Sequence, residues 1–150
     1  MEAENLEATV DKFVFKVMKG CWYSEAGLWA QVEGGLARVG VSDYVQQSSG
    51  DVAFADIEPA GTELAQGDYL GGIETIKVAI DLLSPVSGTL RHVNQDLESS
   101  PELINQEPYG RGWLALVALS DWEADQANLL GAEDYLVVMR RQAEEAAKKL

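Results

Sequence analysis

A chain of 150 residues can bury a real core, and 47% hydrophobic residues with 14 glycines is a globular composition rather than a disordered or fibrous one. Eleven bases against 25 acids leave a net charge of −14; between residues 39 and 110 only Lys77 and Arg91 oppose twelve acids, which repels a polyanionic backbone and excludes nucleic acid as a partner. No apolar run approaches a membrane span, the first seven residues are too acidic for a secretory leader, and Cys21 has no second cysteine to pair with, so a reducing cytoplasm is the expected compartment and no membrane association is expected.

Taken in chain order, residues 1–12 are polar and expected to be loose, with residues 13–150 forming one domain. A first strand is expected over 13–18, a second over 28–33, a turn at Gly34-Gly35 and a hairpin partner over 36–41. Ser42 is placed to cap a short helix over 43–49 that Gly50 ends. Residues 52–57 read as the next strand, followed by turns at Pro59-Ala60-Gly61 and Gly67-Asp68. Residues 69–83 read as strand on both sides of Lys77 and end at the turn Ser84-Pro85-Val86-Ser87-Gly88. Another strand is expected over 89–94, and a short helix begins at Ser100-Pro101-Glu102, with serine as cap and proline in the first turn. The last strand is read over 113–119. Asp121 opens a helix that stops at Gly131, and residues 132–149 form a terminal helix with Tyr135, Val138, Met139 and Gln142 on one face. Gly61-Thr62-Glu63-Leu64 and Gly88-Thr89-Leu90 each follow a proline-containing turn, a faint echo of two similar β halves. The class is mainly β with short helices.

Chemistry-bearing residues are few. There is no Ser-His-Asp constellation, no phosphate loop and no cysteine pair at zinc spacing. His92 stands in a strand without a second ligand nearby, Cys21 reads as a packing cysteine, and the four tryptophans read as packing residues. Neither a catalytic group nor a metal site is expected. Lys77 is different, because a covalently carried group needs an amine held in water on a rigid support, and a hairpin tip offers both. By position alone it is either that or a solvated surface lysine.

The segment Glu74-Thr75-Ile76-Lys77-Val78-Ala79-Ile80-Asp81, followed by Ser84-Pro85-Val86-Ser87-Gly88, resembles the lipoylation segment of glycine cleavage H proteins. Three further stretches resemble the same family in the same order: Val39 to Tyr44 leading into Gly50-Asp51-Val52, Pro101-Glu102-Leu103-Ile104-Asn105, and Pro108-Tyr109-Gly110-Arg111-Gly112-Trp113. A biotin carrier would place methionines at Ile76 and Val78. The resemblance implies a barrel-sandwich hybrid lipoyl domain with short flanking helices and a C-terminal helix. It implies a carrier rather than an enzyme, with lipoate joined to Lys77 by an amide and with Glu74 and Asp81 in lipoylation recognition or arm docking. The implied partners are the lipoylating enzymes with glycine decarboxylase, aminomethyltransferase and dihydrolipoyl dehydrogenase.

The chain departs from the family pattern before Trp29 and again at residue 80. Where members carry a serine, a histidine and a glutamate before a tryptophan, Ala26, Gly27 and Leu28 precede Trp29, and Ile80 stands where a serine is usual. The segment Phe15 to Cys21 is similar to lipoate-binding paralogues that work with a heterodisulfide-reductase-like complex in bacterial sulfur oxidation. These departures tilt the expectation toward such a specialised carrier. The alternatives are a standard H protein carrying an aminomethyl group and an unmodified interaction protein.

Overall fold

A computed structural model of the chain describes residues 4–149. Eleven strands and five helices follow in order among the described residues. The strands are β1 (Asn5–Val10), β2 (Phe13–Met18), β3 (Trp22–Tyr23), β4 (Leu28–Glu33), β5 (Leu36–Val41), β6 (Val52–Ile57), β7 (Glu63–Leu64), β8 (Tyr69–Thr75), β9 (Ala79–Leu83), β10 (Gly88–Val93) and β11 (Ala115–Leu119). The helices are α1 (Asp43–Ser49), α2 (Asp96–Ser99), α3 (Leu103–Gln106), α4 (Trp122–Gln126) and α5 (Ala132–Ala147). With its sheets, short flanking helices and C-terminal helix, the architecture is the expected mainly β lipoyl-domain class.

Two sheets enclose the main core. A six-stranded sheet runs β3-β4-β5-β11-β10-β7, and a three-stranded sheet runs β6-β8-β9. Alternating apolar residues from both point inward, among them Ala30, Val39, Leu90 and Val117 from the first and Leu70, Ile73 and Leu82 from the second. The two segments that echo each other in sequence meet directly: Leu64 pairs with Gly88 and Glu63 with Thr89.

A second core lies under α5, where Tyr135, Met139 and Ala143 meet Ala8, Phe15, Val17, Tyr23 and Trp29. Tyr135 stacks on Tyr23 with ring centroids 4.4 Å apart. This second core explains where the N-terminal expectation fails. Residues 1–12 read as loose, yet Asn5–Val10 forms β1, paired with β2 along its whole length. Its apolar residues Leu6, Ala8 and Val10 alternate over one short run, and what fixes the strand is burial of the small Ala8 against α5, more than a hundred residues away.

Other differences are local. The helix read from Ser100 onward is α3, which starts only at Leu103, and Ser100 terminates a separate short helix, α2, instead of capping a helix. Asp121 makes no capping hydrogen bond, and α4 ends at Gln126. Ser42 does cap α1, accepting from the Val45 amide at 3.3 Å, and its hydroxyl also lies 2.9 Å from that of Tyr135.

The turn after β9 is held by Asp125, a buried carboxylate that accepts from the Ser87 amide at 2.6 Å and from its hydroxyl at 3.0 Å. Hydrogen bonds to a charged acceptor contribute more than neutral ones. Asp125→Ala is therefore expected to cost about 2–3 kcal/mol, because it strands the Ser87 donors. Urea unfolding followed by circular dichroism checks this.

Candidate functional site

Strands β8 and β9 form a hairpin whose register closes at Glu74 opposite Ala79. Four residues, Thr75 to Val78, make the tip. The Thr75 amide donates to the Val78 carbonyl at 2.8 Å, and the Thr75 hydroxyl oxygen accepts from the amides of Lys77 (3.1 Å) and Val78 (3.0 Å). A threonine side chain folded onto its own turn in this way fixes the backbone locally. The Ile76 amide donates to the Asp51 carbonyl at 3.2 Å, which ties the tip to the chain after α1. Lys77 is exposed, and no carboxylate lies within ion-pair distance of it among the described residues. Its amine donates to the Ser48 carbonyl at 3.3 Å, at the end of α1. Its methylenes pass over Gly50, so that a Cβ there would stand 3.5–3.7 Å from them.

Glu74 and Asp81 were grouped with Lys77 in the sequence. The structure brings the two acids together, but Lys77 lines a different depression. Glu74 lies opposite Phe54 and Asp81 opposite Gly72, so the period-two alternation sets both acids on one face with Phe54 and Asp56. This face forms a shallow depression with Tyr69. Phe54 is 68% exposed there, an aromatic that sequence reasoning missed and that the β6–β8 register alone reveals. Partial burial, and then the negative charges of Asp81, Asp56 and Glu58, push the Tyr69 hydroxyl above its ordinary range. The face therefore presents aromatic surface inside an acidic rim. Ile80, where the family pattern has a serine, turns inward and packs against the main core.

The other departures also have structural causes. Gly27 has φ +90°, and a Cβ there would collide with Val45 and crowd the hydroxyls of Ser42 and Tyr135. Leu28 is 2% exposed, pairs with Val41 and belongs to the main core. Neither position lines the depression beside Lys77.

Cys21 is buried and free. Burial pushes its thiol up from 9.0 to about 12, and the Tyr135 hydroxyl up from 10.0 to about 12 for the same reason. Both groups stay neutral in the folded protein above the pH at which the unfolded chain ionises them. The contribution of Cys21 falls between about pH 9 and pH 12 and that of Tyr135 between about pH 10 and pH 12, each by about 1.4 kcal/mol per pH unit within its window. Urea midpoints at pH 8 and pH 11 should show that fall, and Cys21→Ala should reduce it. His92 is exposed, and no cluster of metal-ligating residues occurs among the described residues.

The family model for the glycine cleavage H-protein matches residues 21–142. The chain belongs to the glycine cleavage H-protein family. It is 38% identical over 128 residues to the glycine cleavage system H protein of Carboxydothermus hydrogenoformans, covering 85% of this chain and 98% of the relative. To that of Salinibacter ruber it is 41% identical over 118 residues, covering 78% and 94%. The crystal structure of a glycine cleavage system H protein from Mycobacterium marinum superposes with a TM-score of 0.71 at 27% identity, covering 79% of this chain and 94% of that one. Members of the family are lipoyl carriers and not enzymes, with lipoate attached covalently to a lysine, and lipoate is the cofactor of this chain. No helix among the described residues is long and apolar enough to cross a membrane.

Proposed function

We propose that this protein is a standard H component of the glycine cleavage system, carrying its lipoate on Lys77 through an amide. The observation that carries the assignment is the turn itself: an exposed primary amine with no carboxylate at ion-pair distance among the described residues, on a hydrogen-bonded hairpin tip inside the segment matched by the family. That site fits an acylated lysine, because the amine is open to an acyl donor and its neighbours Ile76 and Val78 are exposed. When bound, the dithiolane supplies a sulfur for an aminomethyl group and takes up two electrons.

The chain's own part is positioning and recognition. Thr75 fixes the turn, and Gly50 and Ser48 give the lysine stem a surface to lie on. Glu74 and Asp81, with Phe54 between acids, offer the lipoylating enzymes, glycine decarboxylase, aminomethyltransferase and dihydrolipoyl dehydrogenase an acidic face with an apolar centre. A reducing cytoplasm suits an unpaired cysteine and a cycling dithiol.

The expectation of a heterodisulfide-reductase-like partner and sulfur cargo draws in part on Leu28, where the family pattern has a glutamate. Leu28 lies in the core, so its side chain cannot choose the cargo. A cationic cargo has a carboxylate in the depression that Lys77 lines, namely Asp11.

Reconstitution tests the reading. Protein made with its lipoylating enzymes should gain the mass of one lipoyl group and support glycine decarboxylation and exchange with purified partner enzymes. Lipoylated protein that is inactive in that assay rejects the glycine cleavage assignment.

A further inference from the structure

The hairpin tip that carries Lys77 leans on the segment that follows α1. Two bonds make the contact: the Ile76 amide donates to the Asp51 carbonyl at 3.2 Å, and the Lys77 amine donates to the Ser48 carbonyl at 3.3 Å. The segment leaves α1 at Gly50, whose φ of +91° lies in the left-handed region, and becomes β6 at Val52. A reversal through glycine has little stiffness of its own. The two carbonyls therefore serve the tip only while something else holds the segment on its path.

One side chain does so. Asn105, on α3, accepts from the Val52 amide at 2.9 Å through Oδ1, and its Nδ2 donates to the Gly50 carbonyl at 2.9 Å and to Gln46 Oε1 at 3.2 Å. These contacts bracket Asp51 and reach back into α1. The support is itself anchored, because Leu103 and Ile104 beside Asn105 are buried in the main core. A carboxamide offers an acceptor and two donors at once, a set that neither a carboxylate nor an alcohol of similar size reproduces. None of these side-chain hydrogen bonds reaches the tip directly, and none involves Glu74 or Asp81.

We propose that Asn105 is a positioning residue for the acceptor lysine: acting through the Gly50–Val52 segment, it sets where the tip presents the amine to an incoming acyl donor. This rests on the reading of Lys77 as the lipoylated residue. Attack of an amine on an activated acyl group depends on placement, and a shift of about 1 Å can cost about a hundredfold in rate. Loss of Asn105 leaves the acids of the β8–β9 face in place, so it acts on turnover and not on binding.

The test uses the whole unmodified chain as the substrate of one purified lipoylating enzyme, with initial rates read by intact mass over a range of chain concentrations. Asn105→Asp keeps the size and the acceptor but sets a carboxylate oxygen against the Gly50 carbonyl. It should lower kcat about tenfold and leave KM within about twofold. Gln46→Ala removes one of the three partners and should lower kcat about threefold; it takes over the test if circular dichroism shows that Asn105→Asp does not fold. Amide hydrogen exchange gives a readout that a general loss of stability would not produce. The Ile76 amide should exchange about tenfold faster in the variant, while Ile73 and Ile80 within the hairpin keep their protection. An unchanged kcat, a loss carried by KM, or an Ile76 amide that keeps its protection overturns the positioning role and leaves Lys77 standing. A wild-type chain that gains no lipoyl mass overturns both.

Discussion

Lys77→Arg is expected to abolish lipoylation completely while leaving the fold in place. Amide formation needs a nucleophilic primary amine. A guanidinium keeps the positive charge but remains protonated and does not take the acyl group under the same conditions. The structural role of Lys77 is slight: an exposed stem over Gly50 and one donation to the Ser48 carbonyl, which arginine also supplies. Substitutions at such sites stay within about 0.5 kcal/mol. Intact mass of wild type and variant made in the same host, with urea midpoints for both, separates the two effects. A variant that still gains one lipoyl mass rejects Lys77 as the attachment site, and one that unfolds shows that the turn depends on the lysine stem.

Local signals in the sequence carried much of the sheet and the candidate lysine. The strands β2, β4, β5 and β6 are short runs rich in apolar and β-branched residues with turn glycines or a capping serine close by, so their limits could be read directly. Lys77 was legible as a tip because both flanks read as strand. What stayed hidden depends on pairing between distant segments. Strand β1 has Leu6, Ala8 and Val10 at period two, but Ala8 is too small to announce a core position until α5 covers it. Likewise, Phe54 looks like one more strand aromatic, and only the register that sets it opposite Glu74 makes it an exposed feature of the acidic face. The depression beside Lys77 was beyond reach, since its walls come from both ends of the chain.

Leu28→Glu, which would restore the residue type usual in the family, is expected to destabilise the protein severely. In the sequence the position looks like a lost carboxylate. In the structure Leu28 is 2% exposed, opposite Val41, and packed within the main core. The preceding Gly27 occupies a left-handed conformation with no room for a side chain, so this entry to β4 has an arrangement of its own around Val45, Ser42 and Tyr135. Removing a buried leucine costs about 2–5 kcal/mol, and a buried carboxylate without a partner adds a desolvation cost. A total of about 5 kcal/mol is comparable with the whole stability of a small domain. The penalty has a pH signature. Burial raises the folded-state pKa of the new carboxyl, so its cost is full above that raised value and is relieved as pH falls toward the ordinary value of about 4.3. Urea midpoints of wild type and variant at pH 8 and pH 5 test both parts: the deficit should be large at pH 8 and smaller at pH 5. A variant as stable as wild type at pH 8 would mean that residue 28 faces a solvated cleft, and its leucine would again bear on which cargo the arm accepts.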